Sequence, residues 1–341
     1  MKKTILIFGL IALSSISLAQ TKYKIASKVK VEGDGSWDYL VADELADKLF
    51  VSHGSVVQVI DLKQGKVIHS IPDTKGVHGI ALAHDLKKGF ISCGRDSSIT
   101  VFDYETLKTI NKIKIGGANP DAILYDAFSH KVFVYNGRSN NATVIDAKTE
   151  KEIATIPLEG KPEFSVTDEK GTIYVNIEDK NIITLINATT LKVEKSYSII
   201  GGEEPTGLAL DNVTHRLFTV CGNKKMIVMD AQNGKIIATL PIGDGCDGVA
   251  FDKELKCIYA SNGEGNITVV KEEDANTFKI IETIETQKGA RTISVNSKTH
   301  HIYTPTSEYE AAPTEATKDN PRKRPKVKSD SFVIFDIELI K

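Results

Sequence analysis

Seven residues recur along the chain at start-to-start intervals of 40, 43, 42, 43, 41 and 44: Asp38, His78, Asp121, Glu163, Thr206, Asp247 and Arg291. Each opens a short apolar run. A purely structural repeat would hold one residue type there, whereas this series mixes carboxylates, an imidazole, a hydroxyl and a guanidinium. That is the composition of a site built from one residue per unit. His78, Asp121 and Glu163 are the acid–base candidates if the protein is an enzyme. Asp38, Asp121, Glu163 and Asp247, with Asn136, Asn176 or Asn262, are hard oxygen donors of the kind calcium takes. Such a set would suit calcium, and no cofactor is assigned.

A second pattern concerns arginine. The stretch "SCGRDSSITVFD", Ser92 to Asp103, returns 43 residues later as "YNGRSNNATVID", Tyr135 to Asp146. Arg95 and Arg138 thus hold equivalent places in neighbouring units. A guanidinium fork matches carboxylate or phosphate geometry. With Lys224 and Arg291 these arginines would clamp an anionic or polyhydroxylated ligand, His53 and His78 being placed for proton transfer. Trp37, the single tryptophan, precedes Asp38 and would cover an apolar ligand edge. The full ligand-binding set is Trp37, Asp38, His53, His78, Arg95, Asn136, Arg138, Lys224, Asp247 and Arg291.

The elements that must carry these residues are legible as repeats. First strands begin "DYLVAD", "HGIALA", "DAILYD", "EFSVTD", "TGLALD", "DGVAFD" and "RTISVN". Second strands follow ("KLFVSH", "KVFVYN", "CIYASN"), then third strands ("VVQVID", "ATVID", "FVIFD"), and six units add a fourth, such as "GKVIHSI". The runs are β-branched and aromatic-rich, separated by turn residues, without an amphipathic helix. Four short strands per unit of 40–45 residues predict an all-β, seven-bladed β-propeller of four-stranded antiparallel blades. The seventh unit stops at its third strand, and a lone run from Lys22 to Val31 precedes the first. This N-terminal strand is expected to complete the last blade and close the ring without a free edge.

On blocks such as "KLFVSHGSVVQVIDLKQGKVIHSI", Lys48 to Ile71, the chain resembles the YVTN-type, YncE-like propeller repeat family of exported bacterial proteins. The resemblance spans nearly all of the chain after residue 19 and implies the scaffold; it carries no agreed chemistry, so function must come from the site.

Repeat position also sorts residues by face. His130, His215 and His300 fall in first-to-second turns on the far face, where they serve turn geometry. The aspartates ending first and third strands, such as Asp43, Asp61, Asp103 and Asp126, cap the following turn. His53 and His78 remain on the ligand face. There, His53, His78, Arg95 and Arg138 are expected to line one pocket.

Composition sets outer bounds. With 41% apolar and 26% charged residues and a formal charge of −2, the chain has ordinary globular material and no globally basic surface. Near-neutral charge and a single tryptophan argue against single-stranded DNA, which wants basic grooves and stacked aromatics. Residues 1–19 have a "MKK" start, an apolar stretch and a small-residue Ser17-Leu18-Ala19 end, the pattern of a secretory signal cleaved near Ala19. The expected organisation is a signal at 1–19 and a periplasmic or secreted propeller domain at 20–341, monomeric and without a membrane span. Cys221 and Cys246 approach each other on the ligand face, where either a disulfide or two buried thiols would fit. An insertion at 307–330 in the last blade, rich in Pro, Lys and Glu, reads as a flexible loop or a lid. Two functions fit: a propeller binding a small anionic molecule, glycan or protein in its funnel, or a lactonase- or lyase-like enzyme using His78, Asp121 or Glu163, with or without a divalent metal.

Overall fold

A computed structural model describes residues 22–315 and 325–340. The proposed signal at 1–19 and the middle of the insertion lie outside these residues. The described chain folds into seven four-stranded antiparallel sheets, each built from consecutive strands except the last. That last sheet takes Tyr23–Lys30 from the N-terminus and pairs it with Val333–Leu339, followed by His301–Thr306 and Ser294–Asn296. The Tyr23 hydroxyl lies 3.0 Å from that of Tyr259 in blade six, so the closing strand is tied to the neighbouring blade as well. No described helix is long and apolar enough to cross a membrane.

Strand burial follows position in the blade. Second and third strands, such as Lys131–Asn136 and Asn141–Asp146, are buried almost throughout because each lies between two blades. The outermost strands, such as Thr109–Lys114, are exposed and lysine-bearing, which discourages pairing with another chain. Hydrophobic clusters therefore form between blades rather than within them; the Phe50 and Phe102 rings of blades one and two, for example, sit 5.7 Å apart.

The turn residues behave as the repeat predicts. Asp61 accepts the backbone N–H of Lys63 at 2.9 Å and of Gln64 at 2.8 Å, and Asp43, Asp103 and Asp126 cap their turns in the same way. His130, His215 and His300 occupy left-handed positions at φ of 52°, 56° and 63°. Two of them also reach the preceding blade: His130 contacts Asp85 at 3.0 Å, and His300 contacts Asp252 at 2.8 Å.

Three expectations are corrected. The first strand of blade seven forms only over Ser294–Asn296; ahead of it, the Thr292 hydroxyl donates to the Asp38 carbonyl at 2.8 Å. Cys221 and Cys246 are not bonded; all four cysteines are free and buried, packed as small apolar groups. The described ends of the insertion are anchored rather than loose. Tyr309 and Val327 form an antiparallel bridge, Lys328 pairs with Glu308 at 2.8 Å, and the Ser329 hydroxyl donates to Asp34 at 2.7 Å.

Candidate functional site

In six blades the ladder between first and second strands shifts register near the start of the first strand, as between Trp37 and Leu40 or Val77 and Ile80. Such a bulge re-aims a side chain, here that of the repeated residue, toward the axis. The backbone groups it frees are taken by buried polar residues of the second strand. Ser52 receives the Asp38 N–H at 2.9 Å, Ser92 receives that of Gly79 at 2.8 Å, and the Asn176 amide donates to the Thr206 carbonyl at 2.9 Å.

The re-aimed residues form a network across blades. His78 Nδ1 lies 2.7 Å from Asp38 Oδ2 and 3.5 Å from Asp121 Oδ1. Two carboxylates on Nδ1 make that nitrogen the proton donor. On the far side of the network, Arg291 Nε donates to Asp247 at 2.8 Å, and Nη2 lies 3.6 Å from Asp38. Lys161 bridges Glu163, at 2.5 Å, and Glu178.

Carboxylates outnumber their cations here, and the titrations show it. Burial pushes Asp121 up to about 6, with Asp38 and Asp247 adding repulsion against the pull of His78 and Lys161. Burial and then Asp121 push Glu163 up to about 8, although Lys161 pulls the other way. Asp247 also rises through burial, partly offset by Arg291. Burial alone would lower His78, but Asp38, Asp121 and Glu163 outweigh it and raise it overall.

Two aromatic residues absent from the sequence-based set floor this well. The residue after each repeated position is Tyr39, Gly79, Ala122, Phe164, Gly207, Gly248 and Thr292, small except in blades one and four. The Tyr39 and Phe164 rings meet at 5.4 Å. A Cβ on Gly79 would lie 2.8 Å from Ile123 of the next blade, so the small residues let blades approach while the two aromatics close the centre. Burial, then Asp121, Glu163, Asp38 and Asp247, raise the pKa of the Tyr39 hydroxyl.

Beside the well, blades one to three enclose a polar cleft of about 460 Å³. Asp34 to Ser36 and Gly54-Ser55 form its blade-one wall, and Gly76 to His78, Arg95, Asn119 and Arg138 the rest. Arg95 and Arg138 hold matching positions, their backbone N–H groups bonded to Lys75 and Ala118 carbonyls at 3.2 Å each. Both side chains are exposed, and among the described residues neither guanidinium has a hydrogen-bond or carboxylate partner. His78 presents Nε2 toward Gly94, where an added Cβ would stand 2.8 Å from that nitrogen. Glycine at 94 is required by this close approach. Two further hollows on the opposite face, of about 260 and 420 Å³, touch none of the ring carboxylates.

The remaining sequence-selected residues separate by environment. His53 does not join the cleft. Its ring is 2% exposed and stacks on Phe332 at 4.0 Å, and burial lowers its pKa so that it stays neutral. Trp37 is likewise interior, 5.5 Å from Phe332 and 6.3 Å from Tyr309, and covers no ligand edge. Asn136 and Asn262 are fully buried within their blades; the Asn136 Nδ2 donates to Asn141 and Thr143 and the Asn262 Nδ2 to Asn266 and Thr268, while both Oδ1 atoms lack a hydrogen-bond partner. Asn176 donates to backbone and accepts from Thr219. Lys224 pairs with Asp244 at 3.1 Å on the rim of blades five and six, away from the arginine pair. Arg291 is committed to Asp247 and Asp38, leaving Arg95 and Arg138 as the unpaired arginines of the proposed clamp.

The fold and this face define a seven-bladed β-propeller whose axial residues form a charged well. No family model matches the chain. It is 23% identical over 205 residues to the uncharacterized protein YncE of Salmonella typhimurium, and equally to that of Salmonella typhi. The alignments take in 58% of this chain and 57% of each relative, so the chain spans little more than half the length of the curated relatives it matches. With the seven blades, this weak similarity supports the YncE-like resemblance read from the repeats. Among solved structures, a chain of the hydrazine synthase of Kuenenia stuttgartiensis superposes with a TM-score of 0.70 at 15% identity, covering 80% of this chain and 94% of that one. A chain of a mitotic checkpoint complex superposes with a TM-score of 0.76 at 12% identity, covering 100% of both. Both show the fold alone.

Proposed function

We propose that the protein binds a small anionic or polyhydroxylated molecule in the cleft between blades one and three. The observation that carries this reading is the pair of unpartnered guanidiniums lining one polar cleft. Arginines at repeat-equivalent positions elsewhere are not needed to build a blade, and a free surface guanidinium pair is suited to a carboxylate or phosphate. His78, its pKa raised by the carboxylates behind it, stands at the same cleft wall. Asp34, the only carboxylate of the wall, is bonded to Ser329. The export signal read at residues 1–19 would set this face outside the cytoplasm. The reading assigns binding and no reaction.

The test is a thermal-shift and calorimetric screen of sugar acids, lactones and phosphate esters against wild type, Arg95→Ala and Arg138→Ala. Each exposed guanidinium should contribute about 1–1.5 kcal/mol to holding an anion, roughly a tenfold weakening per substitution. The effect should shrink as salt rises. Ligands that shift all three proteins equally would show that the arginines are not the binding groups.

A further inference from the structure

Behind the cleft lies a cluster that the anion-binding reading does not use. His78 Nδ1, Asp38 Oδ2 and Asp121 Oδ1 all lie within 4.8 Å of one another, each on the first strand of a different blade. We infer that these three residues form a binding site for one divalent transition-metal ion, of the zinc, manganese or cobalt type rather than calcium.

The donor set decides the class of ion. One imidazole nitrogen with two carboxylates is a borderline set, suited to first-row divalent ions. Calcium takes six to eight oxygens, whereas this cluster offers a nitrogen and two carboxylates. Geometry is close to what binding needs. Two donors held about 2.1 Å from an ion at about 90–110° stand roughly 3.0–3.4 Å apart. The His78–Asp121 separation of 3.5 Å already matches, and the 2.7 Å His78–Asp38 contact must open by about half an ångström as the Nδ1 proton leaves.

The charge count points to the same place. The well holds converging oxygens without enough cations among them, since Arg291 is taken by Asp247 and Lys161 by Glu163 and Glu178. A metal at His78 would supply that charge.

The test is equilibrium dialysis of the EDTA-stripped chain against Co²⁺ and then Zn²⁺, read by elemental analysis and by the visible spectrum of bound cobalt. One ion per chain is expected. Affinity should fall at least tenfold in His78→Gln and in Asp121→Asn and stay unchanged in Lys87→Ala, whose exposed side chain pairs with Glu105. Melting curves confirm that each variant folds; if His78→Gln does not, the near-isosteric Asp121→Asn decides. Absence of saturable uptake, uptake undiminished in Asp121→Asn, or tighter binding of Ca²⁺ than of Co²⁺ would each overturn the assignment. The site stands apart from the anion reading: metal uptake without an anion response sinks only that reading, and an arginine-dependent anion response without metal uptake sinks only this one.

Discussion

Replacing Asp121 by Asn should stabilise the metal-free protein at alkaline pH and leave it nearly unchanged in acid. Asp121 has a side chain 16% exposed, and burial raises it from the ordinary 3.8 to about 6. Between those two values the folded protein holds a proton that the unfolded chain has released, so stability falls as pH rises through this window. The stabilisation is fully present below about 3.8 and lost above about 6. A shift of about two pKa units corresponds to about 3 kcal/mol. Glu163, raised from 4.5 to about 8, extends the same decline toward pH 8. An amide at 121 carries no charge to be desolvated and removes one repulsive partner of Glu163. Urea melts in EDTA at pH 4.5 and pH 8 should therefore show a gain of only about 1 kcal/mol at the lower pH and of about 2–3 kcal/mol at the higher. In melting temperature that is a rise of about 5 °C for a chain of this size. A variant less stable than wild type at pH 8, or an equal difference at both pH values, would refute the idea that the well carries unbalanced negative charge.

Two further outcomes test the architecture around the well. Gly207→Ala should cost about 1–3 kcal/mol in urea unfolding, because its new Cβ would stand 2.8 Å from the Val249 backbone nitrogen of the next blade and neither strand can yield cheaply. Ellman's reagent should find no reactive thiol in the native protein and four after unfolding, since burial raises Cys93, Cys221, Cys246 and Cys257 alike; rapid native labelling of Cys221 or Cys246 would contradict their packing.

The blades were legible because their signal is periodic: strand, turn and capping aspartate recur at nearly fixed spacing, and closure follows from an unpaired strand at each end. The equivalence of Arg95 and Arg138 was readable for the same reason. What could not be read were contacts made by departures from the repeat. His53 and Trp37 occupy ligand-face positions in the repeat, but Phe332 and Tyr309 cover them, and these come from the expanded last blade. That insertion reaches back to the first blade across 295 residues of sequence, from Ser329 to Asp34. Repeat position predicts where a side chain starts, not what an insertion lays over it. Tyr39 and Phe164 left a signal that was available, two large aromatics at a position otherwise held by glycine, alanine or threonine.

Charge pairing around the axis explains why the proposed site falls at blades one to three rather than around the whole ring. Arg291 sits between Asp247 and Asp38, so the seventh blade neutralises its neighbours on either side. Lys161 does the same for Glu163 in blade four. Thr206 carries no charge and bonds to the Cys246 carbonyl at 3.2 Å. Asp121 is left with only His78, at 3.5 Å, and His78 is shared with Asp38. The unmatched negative charge therefore collects at blades one to three, and the unmatched positive charge of Arg95 and Arg138 stands at the rim of the same blades. Had these arginines served to neutralise the well, they would contact its carboxylates as Arg291 does. Their separation leaves both charges without a partner from the other among the described residues.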